Sequence, residues 1–190
     1  SGKELVARTI HKNSKRRDNP FIVCNGALLD PQHFDIELFG IENKDGSVIQ
    51  GYFEKTDKGT LLIDNVSEIP LDTQVKILRV LTDQKFRRVN GSKNILTNVR
   101  VFTTTSKDLR NETINGNFRE DLFQRISVMQ INLPRLRDRI DDLPELFDYF
   151  NKKISQNLGK KAIPFKFNLT KMFSHDWDGN IRELRNLVER

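Results

Sequence analysis

This chain has little cysteine, little histidine and no long apolar run. Its one cysteine, Cys24, rules out an internal disulfide, and the three scattered histidines, His11, His33 and His175, do not have the spacing of a zinc site. No apolar run reaches the roughly 18 residues that a membrane-spanning helix requires, and no basic-then-apolar leader opens the sequence. Internal repeats and low-complexity tracts are also missing. The expectation is a cytoplasmic protein with no membrane contact.

What is present suits a soluble globular fold. The 190 residues are 36% hydrophobic and 31% charged, enough for one substantial core with a small second lobe. A net charge of +6 fits an acidic partner: nucleotide phosphates, nucleic acid or an acidic neighbour. The basic residues are spread along the chain, however. Their densest run, "HKNSKRRDNP" (His11 to Pro20), reads either as a solvated helix end or as a phosphate contact.

Periodicity predicts helices over "GKELVARTIHKNS", "PQHFDIELFG", "PLDTQVKILRVLTDQ" and "NFREDLFQRI", the third with a stripe at Leu71, Val75, Leu78 and Leu81. Apolar runs predict strands at "PFIVCN", "GTLLID", Val99 to Thr103 and "SVMQINLP", with a hairpin turned at Asn90-Gly91. "IENKDGSVIQG" reads as a polar, glycine-bounded loop without a pattern of its own. Strands alternating with helices imply an α/β fold with a parallel sheet and helices on both faces. After Pro134 the segments "DDLPELFDYFNKKI", "NLTKMFSHD" and "NIRELRNLVER" are all helical and imply a small helical lobe.

Four features carry candidate chemistry. Gly2-Lys3 opens an amphipathic helix, like the end of a phosphate-binding loop, though Glu4 stands where such loops usually carry Ser or Thr. Many surface helices begin the same way. Asp64 ends the strand "LLID", where parallel sheets place ligands, and is suited to a magnesium ion bridging phosphates; a turn or capping aspartate is the plainer alternative. Arg119 and Arg125 in "FREDLFQRI" are six apart and so do not share one helical face. They read as surface arginines or as fingers aimed at a phosphate outside this subunit.

The ordered series "SGKE", "ELFG", "GTLLIDNVSEIP", "VRVFTTTSKDL", "FREDLFQRI" and "WDGNIRELRN" resembles the AAA+ central domain of bacterial enhancer-binding proteins, the activators of sigma-54 RNA polymerase, over nearly the whole chain. It is most similar to the NtrX-type nitrogen-regulation response regulators, judged by the short loop after "ELFG". The resemblance implies a three-layer P-loop (AAA+) α/β subdomain over residues 1–134, with the phosphate loop cut at its start, and a helical lid over 135–190. It implies ATP or ADP with Mg2+ as ligands and self-association from dimer to ring. DNA would be reached through a domain outside this segment, and RNA polymerase is the family's further partner. A receiver domain before Ser1 and a DNA-binding domain after Arg190 would be expected.

Residue by residue, the resemblance makes Gly2, Lys3 and Glu4 the end of the Walker A loop and Asp64 the Walker B metal ligand. Asn25 becomes the asparagine that restrains the Walker B glutamate, and Ser106 takes the sensor 1 position. Arg119 and Arg125 become fingers toward a neighbour's ATP, and Arg182 the lid arginine over the γ-phosphate. Three departures matter. Asn65 replaces the Walker B glutamate, and a neutral amide cannot accept the proton of an attacking water. The loop "IENKDGSVIQGYFE" lacks the Gly-Ala-Phe-Thr-Gly-Ala tip that contacts sigma-54, and Ser106 stands in place of asparagine. Together these imply a nucleotide-binding module that gates oligomerisation, with weak or no hydrolysis and no sigma-54 contact. The alternatives are an active ATPase driving sigma-54-dependent initiation and a structural connector that binds no nucleotide.

Overall fold

A computed structural model describes residues 2–30, 33–159 and 172–189. The chain forms two compact units, one of residues 3–130 and the other of residues 131–190 together with residues 1–2.

The first unit is built on a three-stranded parallel sheet. Strands β1 (Phe21–Asn25), β4 (Thr60–Asp64) and β7 (Arg100–Thr103) lie in the order β1-β4-β7, so β4 is central. Its residues Thr60 to Ile63 are all buried, as expected for a parallel strand covered on both faces. The register pairs Asn25 with Asp64 and Ile63 with Thr103, which brings all three carboxyl ends to one edge. Helix α1 (Lys3–Lys12) packs against β4, and its buried His11 Nδ1 lies 3.0 Å from the Thr60 hydroxyl.

Between β1 and β4 come α2 (Phe34–Phe39), a small antiparallel pair β2 (Ile41–Glu42) and β3 (Val48–Ile49), and one turn of helix, α3 (Tyr52–Lys55). The segment expected as a patternless loop is therefore a hairpin. Its strands are too short to carry a readable alternation, and its base is fixed by glycine. Gly40 sits at φ 79°, and a Cβ there would lie 2.4 Å from the Ile49 carbonyl oxygen; a Cβ on Gly51 would lie 2.3 Å from the Gly40 nitrogen. The two chain passes touch at that point. Val89 continues the pairing, donating to the Gly40 carbonyl at 2.9 Å and accepting from Glu42 N at 3.0 Å.

Helix α4 (Leu71–Asp83) follows β4, and β5 (Lys85–Phe86) pairs antiparallel with β6 (Ile95–Leu96) across the expected Asn90-Gly91 turn, where Asn90 has φ 62°. The apolar face of α4 differs from expectation. Thr73, Gln74, Ile77 and Val80 are buried, whereas Leu71 is 44% exposed and Val75, Leu78 and Leu81 are only partly covered. The buried polar pair has partners: Thr73 donates to Asp35 at 2.8 Å, and the Gln74 amide donates to the Ile69 carbonyl at 2.8 Å. Polar residues with satisfied hydrogen bonds can face a core, and counting apolar residues alone misplaces the stripe. Helices α5 (Leu109–Ile114) and α6 (Glu120–Ile126) complete the unit around a core that includes stacked Phe39 and Phe53, with Phe86 against both rings.

The strand expected at Ser127–Pro134 does not form. Val128 and Met129 are each 84% exposed, and among the described residues no backbone ladder runs beside them. A strand exists only through its pairing, so an apolar run without a partner stays irregular.

Among the described residues the second unit is helical. A 3-10 segment (Leu136–Asp142) leads into α7 (Leu143–Asn157), and α8 (Asn180–Glu189) closes it. Leu136, Leu143, Phe147, Met172, Trp177 and Leu184 form its core. Of the helix expected at "NLTKMFSHD" (168–176), residues 168–171 lie outside the described residues, and among the rest Met172 and Phe173 are helical.

Candidate functional site

The sheet register determines which side chains meet. Asn25 and Asp64 end neighbouring strands, and the chain leaving β7 passes beside them as Thr104, Thr105 and Ser106. Asn65 turns sharply, at φ 58° and ψ 55°, a left-handed conformation that asparagine tolerates better than most residues. That turn sends its amide back over the strand ends. Asn65 Nδ2 donates to Asn25 Oδ1 at 3.3 Å and lies 3.4 Å from Asp64 Oδ2. Asn25 Oδ1 also accepts from Ala27 N at 3.0 Å, and Gly26 N donates to the Asp64 carbonyl at 2.7 Å.

Thr104 joins the cluster from the other side. Its hydroxyl donates to Asp64 Oδ1 and lies 3.4 Å from the Asn65 amide nitrogen. Lys3, at the start of α1, donates from Nζ to the Thr105 carbonyl at 2.5 Å, which places an ammonium group at the same strand end. Ser106 is exposed one residue further on, and Gly2 precedes Lys3 with φ 86°. Glu4 faces elsewhere, ion-paired to Arg8 at 2.7 Å.

Glu68 ends the 3-10 turn, Val66–Glu68, that follows Asn65. A hydrogen bond from Lys107 holds its carboxyl below the usual range, within a 2.9 Å ion pair. Glu68 is thus already engaged by Lys107. The strand-end cluster itself holds one carboxylate, Asp64, one ammonium, Lys3, and two neutral amides, Asn25 and Asn65. Among the described residues no group of three or more His, Cys, Asp or Glu could enclose a metal ion. Asp64 alone therefore suits a hard cation that brings its own phosphate oxygens, as Mg2+ does on a nucleotide.

Arg119 and Arg125 take their hydrogen-bond partners from outside this cluster. Arg119 caps the start of α6 and is bound to Asp121 through two bonds of 3.0 and 2.6 Å, which raises its own pKa and lowers that of Asp121. Arg125 is exposed and donates to the Leu81 carbonyl at 2.7 Å. Arg182 is exposed on α8, in the second unit. Two residues that sequence reasoning passed over belong with the candidates. Thr104 holds Asp64, and the fully buried Gln74 accepts from Arg119 N at 2.9 Å. Neither gives a signal in sequence, because threonine beside a strand and glutamine in a helix are ordinary there.

A parallel sheet that gathers a lysine and a strand-end aspartate at its carboxyl edge, with a helical unit after it, defines an AAA+ module of the P-loop NTPase class. Residues 1–132 match the sigma-54 interaction domain and residues 137–190 match the AAA+ ATPase lid domain, and the chain belongs to the sigma-54 interaction domain family. It is 42% identical, over its full length, to the nitrogen assimilation regulatory protein NtrX of Azorhizobium caulinodans, covering 42% of that protein. NtrX from Brucella abortus, solved in complex with ADP, superposes with a TM-score of 0.94 at 42% identity, over all of this chain and 42% of that one. The same protein solved in complex with ATP gives a TM-score of 0.93 at 43% identity, again over all of this chain and 42% of that one. The chain spans less than half the length of these relatives.

Proposed function

We propose that this module binds ATP or ADP with Mg2+ and uses the bound nucleotide to gate self-association within a response regulator, with little or no hydrolysis and no contact with sigma-54. The observation that carries the reading is the amide pair at the strand ends. Asn65 stands where the chain needs a carboxylate to draw the proton from water, and its Nδ2 donates to Asn25 instead. Positioned general bases contribute about 10²–10⁴-fold to such a step. Their loss removes turnover and leaves the binding groups, Lys3 and Asp64, in place.

Residues 1–134 would act as the nucleotide-binding subdomain and 135–190 as the lid. In this reading Gly2 and Lys3 meet phosphate, Asp64 meets the cation, and Ser106 and Arg182 sense the γ-phosphate. Arg119 and Arg125 reach a neighbouring subunit's nucleotide. For Arg119 this means exchanging Asp121 for a phosphate, and both members of that pair are exposed enough for the exchange to cost little. The hairpin of residues 41–49 ends in the polar turn Asn43 to Ser47, which offers no aromatic tip to a polymerase subunit.

Calorimetric titration of Mg-ATP and Mg-ADP, followed by phosphate release, tests the reading. Binding without turnover is expected, with turnover rising about 10²–10⁴-fold in Asn65→Glu. Turnover in the unmodified protein at the level of Asn65→Glu would restore the motor. Absence of binding, unchanged by Lys3→Ala, would leave a scaffold.

A further inference from the structure

The hydroxyl group on Asp64 comes from the far side of the sheet. Phosphate-binding loops commonly place a Ser or Thr directly after their lysine, where its hydroxyl joins the magnesium site. Here that position is Glu4, whose carboxylate is turned to Arg8. Thr104 supplies a hydroxyl to the same place. Its Oγ1 donates to Asp64 Oδ1, and its main chain is fixed on both sides, the amide donating to the Ile63 carbonyl at 2.9 Å and the carbonyl accepting from Val66 N at 2.9 Å. A β-branched side chain on a backbone held this way has little rotamer freedom, so the hydroxyl is aimed in advance. The donation fixes the plane of the carboxylate. Among the described residues Asp64 Oδ2 then has only the 3.4 Å approach of Asn65 Nδ2, a contact that a cation can replace without breaking a strong bond.

We propose that Thr104 is the positioning residue of the cation site: it orients Asp64 so that Oδ2 faces a divalent cation held by a nucleoside di- or triphosphate. The inference rests on the nucleotide-binding reading above and adds a residue to it. Outer partners of metal ligands typically contribute about 10–100-fold to metal affinity, because they remove the ligand's rotational freedom. The Thr104 hydroxyl also lies 3.4 Å from the main-chain N of Asn65, so one hydroxyl serves both the metal ligand and the turn after it.

The test is a Mg2+ titration into the ADP-bound full natural chain, with ADP affinity in EDTA measured alongside. Thr104→Val is expected to weaken Mg2+ binding about 10–100-fold while leaving metal-free ADP affinity unchanged, and Thr104→Ser to restore it. Asp64→Asn should abolish the Mg2+ response. Parental Mg2+ affinity in Thr104→Val, with the response lost in Asp64→Asn, overturns the role of Thr104 and spares the site. A Mg2+ response that survives Asp64→Asn, or no ADP binding at all, overturns the nucleotide site itself and Thr104 with it. A loss of metal-free ADP affinity in Thr104→Val equal to its loss of Mg2+ affinity would mark a merely structural residue and also overturns the proposal.

Discussion

At the carboxyl ends of the strands, Asp64, Asn65 and Asn25 are short side chains placed by the parallel ladder, with Asn65 Nδ2 within 3.4 Å of an oxygen on each of the other two. At the start of α6 and along it, Arg119 is half-exposed and Arg125 exposed, and these long side chains rest on Asp121 and the Leu81 carbonyl. The first region is organised before any ligand arrives, because its geometry is the geometry of the sheet. The second is organised only where it leaves the backbone: Gln74, fully buried, holds the Arg119 amide, while the guanidinium stays exchangeable. If the proposed function holds, the group that meets a ligand in its own subunit is set rigidly, and the group that would reach a neighbour has an anchored base and a movable head.

Stability separates the two regions most strongly. Ile63→Ala removes a fully buried side chain directly before Asp64 and should cost about 2–5 kcal/mol in chemical denaturation, weakening nucleotide binding along with the fold. Gln74→Leu comes next. It leaves the Arg119 amide and the Ile69 carbonyl without their partner, which should cost about 1–3 kcal/mol and disturb nucleotide-dependent assembly before it disturbs nucleotide affinity. Arg119→Ala should leave the unfolding midpoint unchanged, yet reduce assembly in light scattering with Mg-ATP. An equal loss of stability in Arg119→Ala and Ile63→Ala would erase the contrast between the regions.

The smallest expected effect lies in the second unit. His175 Nε2 lies 2.6 Å from Glu183 Oε1, and Glu183 Oε2 accepts from Gly179 N at 2.9 Å in the turn before α8. The hydrogen bond raises the pKa of His175 above its ordinary 6.5, so its contribution is present below pH 6.5 and fades as pH rises through the raised value. The same bond lowers Glu183 below its ordinary 4.5, so that contribution is present above pH 4.5 and fades as pH falls through the lowered value. The pair therefore supports this turn best between pH 4.5 and 6.5. His175→Ala should flatten the dependence of the thermal midpoint on pH as pH rises from that window through neutrality.

Much of this was legible in the sequence because parallel strands read as dense apolar runs. "FIVCN" and "TLLID" announce β1 and β4, and the polar residues ending them locate Asn25, Asp64 and Asn65. The face of α4 was not legible, since its buried Thr73 and Gln74 are polar residues whose partners come from elsewhere in the chain. "SVMQINLP" has strand composition, but composition says nothing about whether a ladder partner is in reach. Thr104 escaped for a related reason. Its meaning comes from Asp64, which is 40 residues away in sequence and adjacent in the sheet.

The contact between Gly40 and Gly51 has a further consequence. Because the chain leaves and re-enters the fold at one point, residues 41–50 contribute an almost closed loop whose ends are held together whatever lies between them. Each doubling of such a loop costs only about 0.6 kcal/mol in closure entropy. The segment is thus a natural grafting port. Longer or shorter tips, with other recognition chemistry, can be exchanged there while Leu38, Phe39 and Phe53 stay packed beneath.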